Sequence, residues 1–305
     1  MTAIARLTAR ITLAVENSVR DRGLVAEHGL SWWVEWGERV VLFDCGQGAA
    51  LGANAPRLGL DLSRTRDLVF SHGHFDHSGG LPSVLASGAR PRLLAHPSAL
   101  GKRYSLRRGA DATEVGVPAS TRAALESHAL ELTPVTRPTE IAPGLFVTGE
   151  VPRLQPWEQE DSPFFLDAAG SRADPLCDDQ ALYFKTAEGL VVLLGCAHAG
   201  VVSTLEYVQD LAGEKRLRLV AGGMHLEHAS SRRLDRTLQA LSTMAIASLA
   251  PLHCTGFAAQ CLLRTFLPER YAIGSVGSRW SFEALGAAES PGPDRRAPPS
   301  PRGAG

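Results

Sequence analysis

The decapeptide Ser71-His72-Gly73-His74-Phe75-Asp76-His77-Ser78-Gly79-Gly80 places three imidazoles and one carboxylate within six residues. An apolar run, Leu68-Val69-Phe70, precedes it and a Gly-Gly pair closes it, the pattern of a strand that delivers side chains into a tight turn. His72 and His74 stand two apart at the strand end, project to the same side and can share one ion. Asp76 and His77 lie across the turn, where they can face a second ion. Neutral imidazole and carboxylate suit Zn2+, Mn2+ or Fe2+. A lone histidine pair would be read as a polar loop; four ligand positions at fixed spacing favour a metal site.

His-x-His-x-Asp-His after a strand is similar to the signature of the metallo-β-lactamase superfamily. Further blocks resemble one branch of it, the dihydropterin-ribofuranosylaminobenzene-phosphate-synthase-like family. These are Glu27-His28-Gly29-Leu30-Ser31, Phe43-Asp44-Cys45-Gly46, Cys177-Asp178-Asp179-Gln180, Gly195-Cys196-Ala197-His198-Ala199-Gly200, Gly222-Gly223-Met224-His225 and His253-Cys254-Thr255-Gly256. They run in order from near Val15 to about Phe282. The resemblance implies an α/β fold, the αββα sandwich of two mixed sheets flanked by helices.

A chain of 305 residues with 44% hydrophobic content can bury a sizeable core. We expect one domain over residues 1–286, a variable loop region at about 101–175, and a disordered tail at 287–305, whose Ala, Gly, Pro and Arg have little to bury. A net charge of -1 gives no electrostatic case for nucleic acid or acidic membranes. No apolar run approaches the ~20 residues of a spanning helix, and Arg6 and Arg10 interrupt the apolar groups near Met1. The expected location is cytoplasmic, with a small-molecule substrate as partner. Five cysteines without CxxC spacing indicate neither a disulfide framework nor a cysteine zinc site.

Alternation at Ile11, Leu13 and Val15 and again at Trp32, Val34 and Trp36 starts a β-meander, and Val40-Val41-Leu42-Phe43 reads as a buried strand. Residues 48–58 suit a helix ending near Gly59. Leu81 to Leu85 suit a short one, and Arg92 to Ala95 a strand. Between 101 and 175 the periodicity weakens, with one strand at Leu145 to Val147. Ala181 to Phe184 and Leu190 to Leu194 read as paired strands. Helices are expected over Val202 to Ala212 and from Ser230 or Ser231, with strands at Leu217 to Val220 and before His253. Ser275 to Phe282 closes the sheet.

His198 follows a strand and is the candidate third ligand of the first ion, leaving a position open for water or substrate. The resemblance implies that His253 joins Asp76 and His77 on a second ion, and that Asp44 orients a ligand histidine through its other ring nitrogen; capping the next helix is the alternative for Asp44. Many dinuclear members carry a bridging Asp where this chain has Cys196. Either His198 reaches in, or Cys196 coordinates, or water alone bridges, and Asp178 is a further candidate ligand. His225 is read as a ligand, an acid or base, or a structural histidine. Lys102, Arg103 and Arg153 can hold an anionic group such as phosphate or belong to a solvated basic face; His28 is read as a surface-loop residue, with a substrate contact over the site as the alternative.

The expected activity is that of a metal-dependent hydrolase or transferase holding two Zn2+ (or Mn2+ or Fe2+), with Asp76 and His225 as proton carriers. The branch implies a phosphorylated, pterin-like ligand. The alternatives are an iron-dependent redox enzyme on the same fold and a metal-containing binder of a folate-like ligand.

Overall fold

The computed structural model describes residues 7–107, 111–160 and 162–285. The tail expected at 287–305 lies outside them. β1 (Leu7–Val15), β2 (Ser31–Trp36) and β3 (Arg39–Phe43) form an antiparallel meander. α1 (Ala50–Leu58) returns the chain to β4 (Thr65–Val69), parallel to β3. α2 (Phe75–Ser78) and α3 (Leu81–Ala86) lead to β5 (Arg92–Ala95), parallel to β4. β6 (Tyr104–Ser105) and β7 (Thr113–Glu114) pair with each other, and α4 (Ala119–Ser127) precedes β8 (Leu132–Pro134), parallel to β5. β9 (Thr139–Ala142) and β10 (Leu145–Val147) make a hairpin, and β11 (Phe164–Phe165) adds to β6.

The second half repeats the first in outline. β12 (Leu182–Thr186) and β13 (Gly189–Leu193) are antiparallel, α5 (Val201–Ala212) crosses to β14 (Leu217–Gly223), and α6 (Ser231–Thr243) to β15 (Leu249–Leu252), so that β13, β14 and β15 run parallel. α7 (Phe257–Phe266) then leads to β16 (Arg279–Ala284), antiparallel to β1. One mixed sheet therefore runs β16-β1-β2-β3-β4-β5-β8 and the other β9-β10-β12-β13-β14-β15. They are joined along one edge by a single pairing, Thr186 with Ala284.

Three apolar clusters divide the structure into layers. Between the sheets, Ile11, Leu13, Trp32, Val34 and Phe43 meet Leu182, Phe184, Val191, Leu193 and Leu219. Outside the first sheet, Leu42, Leu68 and Phe70 pack on Leu51, Val84 and Leu85 of α1 and α3. Outside the second, Val192 and Val220 pack on Leu205, Val208, Leu241 and Leu263 of α5, α6 and α7. The strands are covered on both faces and so read as continuous apolar runs in their parallel portions. This is the αββα sandwich of two mixed sheets flanked by helices.

Helices α4 and α7, strands β8 and β9, and a small sheet escaped the periodicity reading. α4 buries only Thr121 and Leu125, and α7 only Ala259 and Leu263, while Phe257 and Phe266 stay exposed. Neither shows a clean apolar stripe. The strands β6, β7 and β11 are two residues each, too short to alternate. Among the described residues no helix is long and apolar enough to cross a membrane.

Candidate metal centre and cavity

The chemistry-bearing residues gather where parallel strands end. Asp44 follows β3, His72 follows β4, Cys196 and His198 follow β13, His225 follows β14, and His253 follows β15. Ligand sites in such folds form beyond the carboxyl ends of the strands. Asp44, Ala197, His225 and His253 all take positive φ, between 48° and 60°. Sharp turns of that kind, uncommon for side-chain-bearing residues, redirect the chain toward the site.

Hydrogen bonding fixes which ring nitrogens carry protons. Ser71 donates its hydroxyl to Asp44 Oδ2 at 2.6 Å, so its oxygen accepts from His72 Nδ1 at 2.9 Å, and His72 Nε2 is left as a bare lone pair. That lone pair faces His74 Nδ1 at 3.0 Å. His198 lies against both rings, with centroids 4.8 and 4.9 Å away, and its Nε2 is buried without a partner, as is His74 Nε2. Burial pushes the basicity of His72 and His198 well below that of free imidazole and that of His74 to about 3. Three neutral rings thus offer donor atoms within 4.8 Å of one another.

A second set adjoins the first. His77 Nδ1 donates to Asp44 Oδ2 at 2.7 Å, turning Nε2 inward. Asn17 Oδ1 accepts from Gly29 N at 3.2 Å, which fixes its amide, and therefore accepts from His253 Nδ1 at 2.8 Å. The inward atoms are His77 Nε2, His253 Nε2 and Asp76 Oδ2, separated by 3.2, 3.1 and 3.7 Å. Tetrahedral ligands at a zinc-nitrogen bond of about 2.0–2.1 Å stand roughly 3.3 Å apart. The spacing fits an ion of that size. Burial opposes charge on His77, but the Asp44 and Asp76 carboxylates outweigh it and hold its pKa at about 9. Burial likewise opposes the Asp76 carboxylate, and His77 and His253 outweigh it and keep the group well below the usual range. Without a metal this second set therefore holds a proton that a divalent cation would displace.

Cys196 Sγ lies 3.1 Å from His77 Nε2 and forms a further donor group with His225 and Cys254. His225 packs on His198 at 4.3 Å between ring centroids, and its Nδ1 is buried without a partner. Asp178, weighed as an extra ligand, is engaged elsewhere: its Oδ2 accepts from Gly73 N at 2.8 Å and from Arg103 at 2.6 Å, and it belongs to none of the ligand groups. Arg103 is buried between Asp174 and Asp178 and anchors the ligand turn.

Lys102 does not meet the expectation of a substrate contact: it is exposed and does not line the cavity. Arg153 does line it, with its guanidinium directed to the backbone oxygens of His198 and Pro175. The helix-capping alternative for Asp44 is also corrected. Glu27 accepts from the N–H groups of Gln47, Gly48, Ala49 and Ala50 at 2.8 to 3.2 Å and so caps α1. Glu27→Gln is expected to cost about 1 kcal/mol, within the range for lost caps, seen as a lower denaturant midpoint at unchanged slope.

Sequence reasoning missed Asn17 and passed over His28, whose Nε2 stands 3.3 Å from Asp76 Oδ2 although the side chain is 53% exposed. Their signal was the Glu27-His28-Gly29 block itself, which a reading of the loop as surface discounted. His28, His74, Asp76, Cys196, His198, His225 and His253 open into one cavity of about 650 Å³. The three-stranded sheet roofs part of it. Phe164 of β11 lies tilted against His74 at 4.7 Å and edge-on to His198 at 5.5 Å between ring centroids.

The sequence profile of the metallo-beta-lactamase superfamily matches residues 24–198. The chain belongs to that superfamily, whose members bind divalent metals. It is 29% identical over 269 residues to the uncharacterized protein MJ0448 of Methanocaldococcus jannaschii, covering 88% of this chain and 98% of that one. It is 26% identical over 263 residues to the 7,8-dihydropterin-6-methyl-4-(beta-D-ribofuranosyl)-aminobenzene-5'-phosphate synthase of the same organism, covering 82% and 88%. This similarity supports the synthase-like branch. Among solved structures it resembles Tm1679, described as a metal-dependent hydrolase of the beta-lactamase superfamily, at TM-score 0.76 and 28% identity over 90% of this chain and 99% of that one.

Proposed function

We propose that the chain is a metal-dependent hydrolase or transferase acting on a small, phosphorylated, pterin-like molecule, with two divalent ions, Zn2+ first, in the donor sets described. The observation that carries the reading is the convergence of His72, His74 and His198 beside Asp76, His77 and His253 at one cavity, with Nε2 of His74 and of His198 buried without a partner. A divalent ion in such a set supplies Lewis acidity, which acidifies water and polarises an electrophile's oxygen.

The chain's own residues do the rest. Asp44 and Asn17 hold the rings of His77 and His253 in one tautomer and direction. Asp76 accepts the proton of an attacking water, and His28, 3.3 Å away and partly in solvent, passes it out. His225, packed on His198, donates a proton to the leaving group. Phe164 offers a flat apolar wall for a ring system. Relatedness to the synthase supports the pterin-like ligand.

Elemental analysis of tag-free protein purified without chelator is expected to find close to two Zn or Mn per chain; no metal even after reconstitution would overturn the site. A screen of phosphodiesters, phosphomonoesters, lactones and thioesters should then find turnover that His74→Ala loses. Turnover that survives the substitution unchanged excludes this site for that reaction.

A further inference from the structure

The cavity wall formed by the first turn of α6 carries an unusual cation. Arg233 is 7% exposed, lines the cavity, and has a buried Nε without a hydrogen-bond partner among the described residues. The nearest carboxylate in an ion pair with it, Glu160, stands 3.8 Å from Nη1, beyond hydrogen-bond reach. Glu160 is itself turned to the Ser230 hydroxyl and backbone N–H. Glu158 is nearby but engaged by Val202 N, Ser203 N and the Ser203 hydroxyl at 2.7 to 2.9 Å. Burial lowers the pKa of Arg233, and the two glutamates only partly offset this.

Arg103 shows how this fold treats a buried guanidinium that serves structure alone. It is held between two carboxylates at 2.6 and 2.8 Å, so its charge is matched at close range even though its Nε, like that of Arg233, makes no well-aligned hydrogen bond. Among the described residues Arg233 has no such close partners. A buried charge without a close counterion is costly, and a planar fork of donors facing a cavity matches the oxygens of a carboxylate or phosphate. Helix α6 begins at the same wall, with His228 and Ala229 lining it, so the helix N-terminus adds to the favourable field for an anion.

We infer that Arg233 is the receptor for an oxyanion group of the ligand, a carboxylate or a phosphate, and that it rather than Lys102 selects for anionic ligands. The inference rests on the reading of the cavity as the ligand site, and it does not depend on the reaction performed there. Arg153, which donates to the His198 carbonyl, has two of its guanidinium nitrogens committed to backbone oxygens and to Gln159. Its role is to hold the His198 loop.

Calorimetric titration of the intact, metal-containing protein with phenylphosphonate, benzoate and benzyl alcohol tests this. The two anions are expected to bind about 10- to 100-fold more tightly than the alcohol, the range of a charged hydrogen-bonded pair. Arg233→Met should erase that preference while leaving the alcohol unchanged. Arg233→Lys should keep part of it, since charge remains and the fork is lost. Phenylphosphonate against benzoate separates phosphate from carboxylate as the group preferred. The same titrations on His74→Ala separate Arg233 from the metal site. A preference lost in His74→Ala and kept in Arg233→Met overturns the inference, as does the absence of any preference in the unaltered protein. Failure of every turnover assay would overturn the proposed reaction and leave this result standing.

Discussion

His74→Ala is expected to reduce bound metal by about one equivalent per chain and turnover by more than the ~100-fold typical of losing a residue that merely orients a ligand. The reason is geometric. His72 Nε2 and His74 Nδ1 stand 3.0 Å apart, with His198 beside both. Removing one donor leaves two neutral, deeply desolvated rings too few to hold an ion against water. The stability effect should have the opposite sign in the metal-free protein. Buried imidazoles with unpartnered nitrogens destabilise an apo fold, so metal-free His74→Ala should melt no lower than metal-free unaltered protein. Metal binding raises melting temperature through linkage, and that rise should shrink in the variant. Melting curves with and without chelator, alongside elemental analysis, check both parts. An equal metal-induced rise in both proteins would mean that the ion sits elsewhere.

How much of this was legible in the sequence follows from which interactions are local. The turn at 71–80 encodes four candidate ligands in one decapeptide because strand, turn and helix start are contiguous there. Val40 to Phe43, Leu190 to Leu194 and Leu217 to Val220 announced buried strands because both faces of each are covered. Strand ends could therefore be located, and with them Asp44, His198, His225 and His253. What stayed hidden depends on pairings distant in sequence. Asn17 meets His253 across 236 positions, and Arg233 faces a cavity whose roof is built from two-residue strands. Lys102 and Arg103 looked equivalent as neighbours, yet one is solvated and the other buried between aspartates. A basic dipeptide does not say which member points inward.

Asp44→Asn is expected to weaken metal binding about 10- to 100-fold while lowering stability by about 1–3 kcal/mol. One buried carboxylate accepts Ser71 N at 2.7 Å, the Ser71 hydroxyl at 2.6 Å and His77 Nδ1 at 2.7 Å. It thereby sets the tautomer of His77 directly and that of His72 through the serine. The asparagine amide cannot accept at both ends. Its NH2 would face two donors, and either Ser71 turns its hydroxyl toward His72 or His77 rotates its lone pair away from the centre. Asparagine tolerates the φ of 60° at this position, so the turn after β3 survives and the effect isolates the lost acceptor. Asp44→Ala adds the strain of a left-handed alanine and should be less stable than Asp44→Asn by about a further 1–2 kcal/mol. Metal titration with a competing chelator, paired with denaturant unfolding of the metal-free variants, separates the two contributions. Should Asp44→Asn bind metal within about threefold of the unaltered protein, the His77 ring is positioned by its packing against His72 and His253, and the carboxylate beneath it serves the Ser71 turn alone.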